Sequence, residues 1–468
     1  MSKKYKISAL LLILIIIIAA IGVYGFSQYQ SSMNYTIISF DFERAYNDED
    51  VLTSLGPRLA GTDEEYQGAI YIKNQFEEAG LSDVHIENYE ALLYEVNSAS
   101  VSLVEYLPLG NLPNPLADPI DFVHKMDFVV QGYSGSYAWQ SYSDDLEIVD
   151  VEDGNDDALF ADAEGKAAVV SQEVGVASNT ELFFKASDFG VSALVLHNTR
   201  IGEEVGYLPI SKSTGLPSDI KGYPDIPFFM VSKDAGNQIM EGIQSGMKLR
   251  LDFDVTVEER YLRVVLGDVK GTEKPNSYVM LGAHHDTVYN GDGAVDNTVG
   301  TVTVIELARQ LSKYNPKKSI RLATWGGEEE GLFGSIRWFE AHSEDAQKNC
   351  MMYLNFDMNN VDLERGNRLP ITVSDNTSIH HMKRISKALL EDHPELDRYD
   401  IEIGYNDLKS GGSDQLIFAR NDIKAGACWG SGSWEYHTYL DTIEHVNAES
   451  LSVGGRIFGS YALYLANK

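Results

Sequence analysis

Apolar residues recur along this chain in distinct rhythms, separated by clear punctuation. Residues 7–26 carry no charge. An apolar run of about 20 residues is the length that spans a bilayer. Lys3, Lys4 and Lys6 flank it, so the basic stub 1–6 is expected inside and everything after the span outside. A cleaved signal peptide is the competing reading. Its apolar region is usually about 7–15 residues, and Val23-Tyr24-Gly25 is a poor small-residue cleavage site. An uncleaved single-pass anchor is therefore expected, followed by a polar spacer over 27–40. Further on, Thr62 or Asp63 caps a helix whose inner face is Ala69, Ile72 and Phe76 and which ends at Gly80. Val84–Tyr89 alternates like a strand. A Pro/Asn/Gly-rich stretch from Leu107 to Asp118 marks a boundary.

The segment 118–256 has a pattern of its own. Strands are expected at Ala167–Ser171, Ala193–His197 and Ile226–Val231, with helices at Leu182–Gly190 and Asp234–Gln244. From residue 257 the pattern changes again. Apolar runs at Ser277–Leu281, Ser319–Trp325, Cys350–Phe356 and Lys424–Trp429 read as strands. Val304, Leu307, Ala308 and Leu311 fall at i, i+3, i+4, i+7, a helix face. The fold expected is α/β: a mostly parallel central sheet with helices on both faces, assembled from 41–117 and 257–468. A smaller, β-rich domain is inserted over 118–256.

Each later strand runs into an acid or a histidine, and this changes the picture. His284, Asp286 and Asp296 follow the first, in LGAHHDTVYNGDGAVDNTVG. Glu328 and Glu329 follow the second, Asp357 the third and His437 the fourth. Loops after parallel strands meet along one sheet edge, so these residues are expected to converge. Imidazole with carboxylate suits zinc. One polar loop with a chance histidine would need no metal, but chance does not place a ligand type after every strand. His285, His380, His381 and His445 are expected at the surface or behind the ligands. Cys350 and Cys428 are the only cysteines, which excludes a disulfide framework or a Cys-based zinc site. The net charge of −33 repels polyanions, so no nucleic-acid partner is expected.

Five motifs carry a family resemblance: Gly282-Ala283-His284-His285-Asp286-Thr287, Gly293-Ala294-Val295-Asp296-Asn297, Glu328-Glu329-Glu330-Gly331-Leu332-Phe333-Gly334-Ser335, Asn355-Phe356-Asp357-Met358 and Tyr436-His437-Thr438-Tyr439-Leu440-Asp441-Thr442. In order and spacing they resemble the di-zinc aminopeptidase family that includes glutamate carboxypeptidase II and the transferrin receptor. GPRLAGT, Gly56–Thr62, is similar to that family's opening. EGKAAVV, FKASDFGVSALVLHN and DIPFFMVS in the insert are similar to its protease-associated (PA) domain. The resemblance implies two Zn2+ ions bridged by Asp296, with His284 and Asp357 completing one site and Glu329 and His437 the other. It further implies Glu328 as general base and Asp286 as the residue that orients His284. The chemistry agrees. One carboxylate can span metals about 3.5–4 Å apart, and Asp286 can accept the ring N–H that a metal leaves free.

The chain departs from the family at Ser413-Asp414-Gln415, where members often read SDH, and at Thr287, where serine is usual. Glu330 adds a third carboxylate expected to face solvent. The implied activity is a membrane-anchored, extracytoplasmic zinc exopeptidase acting on peptides, with an aminopeptidase expected and a carboxypeptidase the alternative. Capture of a substrate carboxylate would need basic residues such as Arg309, Arg321, Lys409 or Arg420 in the pocket. A single-zinc glutaminyl cyclase would lack His284, and a non-enzymatic receptor can lose its ligands. All five ligands are present here. Nothing in the sequence fixes an oligomeric state.

Overall fold

The computed structural model describes residues 35–108, 112–172, 178–199, 207–213, 215 and 222–468. The apolar run 7–26 and its flank lie outside the described residues. Among the described residues no helix is long and apolar enough to cross a membrane.

Helix α1 (Phe42–Thr53) and helix α2 (Asp63–Glu78) come first. The Thr62 side chain accepts the Glu65 amide, and Asp63, Glu64 and Glu65 crowd the positive end of α2. Ala69, Ile72 and Phe76 are fully buried, and Gly80 in the left-handed region ends the helix. The strands are β1 (Ser82–Val104), β2 (Ile120–Phe122), β3 (Phe128–Val130), β4 (Ile148–Asp150), β5 (Ala167–Gln172), β6 (Ala193–Asn198) and β7 (Phe228–Val231). They continue with β8 (Lys248–Val269), β9 (Lys274–His284), β10 (Lys318–Trp325), β11 (Cys350–Phe356), β12 (Arg368–Val373), β13 (Asp400–Tyr405) and β14 (Ala425–Cys428). Helices α3 (Val299–Leu311), α4 (Phe333–Asn349), α5 (Asn376–Asp392) and α6 (Ala448–Asn467) lie among or after the later strands.

Nine strands form the main sheet in the order β13-β12-β14-β11-β9-β10-β8-β1-β2. Residues alternate between its faces, as a strand requires. Val279, Leu281 and Ala283 of β9 join a core with α1, α2, α3, α5 and α6. Tyr278 and Met280 face the other way, into a core with Trp325, Trp338 and Phe418. Helices therefore cover both faces. The sheet is mixed, however, where a mostly parallel one was expected. β12–β13, β14–β11, β11–β9 and β9–β10 are parallel, while β12–β14, β10–β8, β8–β1 and β1–β2 are antiparallel. The short link over 270–273 between β8 and β9 leaves room only to reverse the chain, whereas a parallel crossover needs a dozen residues or more.

β1 and β8 pair along nearly their whole lengths, from Ser82↔Asp268 to Val104↔Lys248. The chain between them builds a second sheet, β3-β7-β6-β5-β4. Its β3–β7 pairing is antiparallel and the other three are parallel. This is the smaller sheet domain expected over 118–256, and its sheet is mixed. Helices Asp157–Asp162, Asn179–Asp188 and Lys233–Gln244 accompany it. β6 is buried at every position, the mark of a parallel strand covered on both faces. Phe128 and Phe229 pack on Phe253 of β8, so this sheet shares a core with the β1–β8 pair. Both cysteines are free, Cys428 buried and Cys350 partly so.

Candidate metal centre

Strands β10, β9, β11 and β14 lie side by side and parallel, so their carboxyl ends open onto one edge. Trp325 pairs with His284, Asn355 with Gly282 and Phe356 with Cys428. This register brings the His284 end of β9, the glutamates after β10 and Asp357 after β11 together. Ligand atoms of His284, Asp296 and Asp357 lie within 4.8 Å of one another, as do those of Asp296, Glu329 and His437. Asp296 belongs to both groups and uses different oxygens. Its Oδ1 is 3.3 Å from His284 Nε2 and its Oδ2 is 3.1 Å from His437 Nε2. His437 Nε2 is also 3.0 Å from Glu329 Oε2, and His284 Nε2 is 3.8 Å from Asp357 Oδ1. Glu328 forms a third such group with His284 and Glu329.

Two buried atoms of the candidate ligands have no hydrogen-bond partner: His284 Nε2 and Glu329 Oε1. Orphaned buried polar atoms are rare and call for a missing partner. A metal supplies one, and the imidazole–carboxylate donor set fits zinc.

Asp286 stands behind the ligands. Its carbonyl oxygen is 3.1 Å and its Oδ1 3.5 Å from His284 Nδ1. Its carboxylate also accepts the amides of Glu328 and Glu329, at 3.2 and 3.1 Å. One acid thus sets the histidine ring and the glutamate turn together. Asp441 does the same for Asp296, accepting the Val295 and Asp296 amides at 2.7 and 3.0 Å. Asn297 ties this loop to the Asp357 loop. It donates to the Phe356 carbonyl and accepts from the Gly300 and Met358 amides. Arg58, fully buried, donates to the carbonyls of His285 and Asp292 and to Thr298 Oγ1. The Arg58 amide donates to Thr287 Oγ1 at 2.8 Å, a bond that threonine makes as well as serine.

Residues 264–462, which hold every one of these ligands, match the model of Peptidase family M28. This part of the chain belongs to that family. Aminopeptidase YwaD of Bacillus subtilis is 25% identical over 446 residues, covering 92% of this chain and 86% of that protein. Probable glutamate carboxypeptidase VP8 of Zea mays is 29% identical over 357 residues, covering 64% of this chain and 48% of that relative. The chain thus spans about half the length of the maize protein. The crystal structure of BSAP, a zinc aminopeptidase from Bacillus subtilis, matches with a TM-score of 0.70 at 22% identity, covering 92% of this chain and 97% of that one. That likeness establishes the shared fold.

In this M28 peptidase the electrostatics favour cations. Burial alone would lower the pKa of His437, but Glu329 and Asp296 outweigh it and raise it to about 9. Burial likewise opposes a proton on His284, and Glu328, Asp286, Asp296 and Asp357 override it, holding it well above the imidazole range. Burial would raise Asp296, yet its two histidines keep it below the carboxylate range. Burial and then Glu329, Asp357 and Asp414 push Glu328 well up, against the pull of His284. The acidic cluster thus demands positive charge and, without metal, takes protons.

One expectation is corrected here. Glu330 does not face solvent: it is 2% exposed, with neither oxygen hydrogen-bonded. His285 is buried between Thr324 and Glu65, His381 meets Tyr35, His445 meets Glu435, and His380 is exposed. Gln415, in place of the usual histidine, accepts from Asn355, as does Ser413. Sequence reasoning passed over Asp441, Asn297 and Arg58 as functional, although all three stand inside motifs it had quoted. Ser211 it could not find. This insert residue accepts from His437 Nδ1 through its backbone carbonyl, and a carbonyl leaves no mark in the sequence.

Proposed function

We propose that this M28 peptidase is a di-zinc aminopeptidase that removes residues from the free amino end of peptides. The observation that carries the reading is Asp296, one carboxylate facing two histidines with separate oxygens. His284, Asp296 and Asp357 would hold one ion, and Asp296, Glu329 and His437 the other. When bound, zinc supplies a Lewis acid for the scissile carbonyl and draws the pKa of water towards neutrality. With two metals claimed by the groups that share Asp296, Glu328 is left over beside them. It takes the proton of the attacking water and passes it to the leaving amine. Asp286 holds that glutamate turn and His284 in place.

The choice of the amino end rests on charge and on the Bacillus subtilis relative, which is named an aminopeptidase. A cluster of carboxylates suits an ammonium. The four basic candidates for carboxylate capture are occupied elsewhere: Arg309 on Asp48, Arg321 on Asp268, Lys409 on Asp422, and Arg420 on the Lys409 carbonyl. The insert, which resembles a PA domain, would shape the approach to the site. The chain would be held at the cell membrane by 7–26 with its catalytic part outside, and its net charge of −33 argues against nucleic acid as a partner. Metal analysis of the purified protein, with assays on amino-acid anilides and N-blocked dipeptides, tests the reading. Two zinc ions and hydrolysis of the anilides alone are expected. Absence of zinc, or cleavage of only the N-blocked dipeptides, would overturn it.

A further inference from the structure

The two proposed metal-binding histidines are oriented in different ways. His284 Nδ1 faces Asp286, two residues along the same loop. His437 Nδ1 lies 2.6 Å from the carbonyl oxygen of Ser211, 226 residues away in the insert. A carbonyl only accepts, so in the neutral ring Nδ1 carries the proton and Nε2 keeps its lone pair for a metal. That Nε2 is the atom facing Asp296 and Glu329. The Ser211 amide, in return, donates to the His437 carbonyl at 3.2 Å, and Asn290 donates to the same oxygen at 2.9 Å. His437 sits at φ 58°, in the left-handed region that non-glycine residues rarely adopt. Ser211 therefore grips both the ring and the backbone of a residue in an uncommon conformation.

Ser211 is itself held. Gln131, fully buried just after β3, clamps the segment on either side of it. Gln131 Nε2 donates to the Ile210 carbonyl at 3.0 Å, and Gln131 Oε1 accepts the Lys212 amide at 3.2 Å. The Gly132 amide adds a bond to the Lys212 carbonyl at 2.9 Å, and the Gln131 amide donates to Phe228 at the start of β7. A continuous path of hydrogen bonds runs from the second sheet through Gln131 and Ser211 to His437.

We infer that Gln131 is a positioning residue for the metal centre: the insert completes the Asp296/Glu329/His437 site through the Gln131–Ser211–His437 path and leaves the His284/Asp296/Asp357 site to the main domain. This rests on the di-zinc reading. A glutamine side chain sets an N–H donor beside a carbonyl acceptor in the spacing of a peptide group, which suits it to hold a segment in extended register. Partners that orient a ligand from behind typically matter by about 10–100-fold in metal affinity.

Zinc-stripped full-length protein, titrated with zinc against a competing chelator, tests the inference. Gln131→Leu keeps similar bulk and removes both clamp bonds. It is expected to weaken one of the two zinc sites by about 10–100-fold and leave the other unchanged. Gln131→Glu keeps the acceptor for Lys212 and loses the donor to Ile210, so a smaller loss at the same site is expected. It also decides the matter should Gln131→Leu fail to fold. Phe160→Ala, which removes a fully buried ring packed against Phe189 in the insert core, lowers insert stability without touching the clamp. It should leave both zinc affinities in place. Unchanged affinity in both Gln131 variants, or an equal loss in Phe160→Ala at matched melting temperature, would overturn the inference while wild type still binds two zinc ions. A wild-type chain that binds no zinc would instead end the di-zinc reading and the inference with it.

Discussion

Asp296 and Glu328 are both carboxylates at one site, yet the proposed reading gives them different tasks and their surroundings differ to match. Asp296 is pinned at its backbone by Asp441 and faced by an imidazole on each oxygen. Asp296→Ala is expected to remove both metals, while His437→Ala removes mainly the one shared with Glu329; zinc content of the purified variants checks this. Glu328 is held by its backbone amide on Asp286, with its carboxyl left to work. Glu328→Gln should keep zinc near wild type, leave KM little changed and lower kcat by roughly 10²–10⁴-fold, the range for general acid–base catalysis. Wild-type turnover in that variant with both zincs bound would send the search for the base elsewhere. Protons and metal also compete here. Without metal His437 keeps its proton up to about pH 9. Zinc takes a neutral imidazole, so binding expels that proton and affinity must rise with pH until about 9, by about tenfold per pH unit for each proton displaced. Chelator-competition titrations at several pH values measure the slope. Affinity flat between neutral pH and about 9 would show the histidine already deprotonated.

The same division between local and distant causes holds for the elements. Helix α2 was legible throughout, because cap, apolar face and terminating glycine all lie within its own span. Its Phe76 is fully buried against the sheet, so Phe76→Ala should cost about 3–5 kcal/mol of unfolding free energy, read by denaturant titration. A cost under about 1 kcal/mol would mean the site collapses around the gap. Of the long strands, β1 was read only over Val84–Tyr89 and β8 was not read. Glu258, Glu259 and Arg260 of β8 are not buried, so no apolar alternation marks the middle of that strand. Pairing with β1 holds it there, and pairing partners leave no trace in a single chain's rhythm. The mixed direction of the sheet was missed for a related reason: apolar runs show where strands are, and only link length shows which way they point. The ligands were legible because each follows a strand that is. Arg58 and Ser211 act through backbone carbonyls, theirs or others', and no residue pattern encodes those.

Across the whole molecule, charge and anchoring bear on each other. A body with a net charge of −33 is repelled by the anionic headgroups of a membrane surface. Nothing in its charge would draw it there, so residence at a membrane needs a hydrophobic device. Under the proposed anchor, residues 7–26 would be that device: about 20 apolar residues would gain enough by insertion to hold a large acidic domain that electrostatics pushes away. The spacer 27–40 would then let that domain stand clear of the surface. Lys3, Lys4 and Lys6 would set the direction, since basic flanks stay on the cytoplasmic side. In intact cells, added protease is expected to release a soluble, zinc-dependent peptidase, while the membrane fraction resists washing with high salt or alkaline carbonate. High salt alone would strip a protein held by charge, and this one should tighten if it responds at all, because salt screens the repulsion. A mature protein recovered soluble without protease, with its amino terminus near Phe26, would show that the apolar run is a cleaved signal and not an anchor.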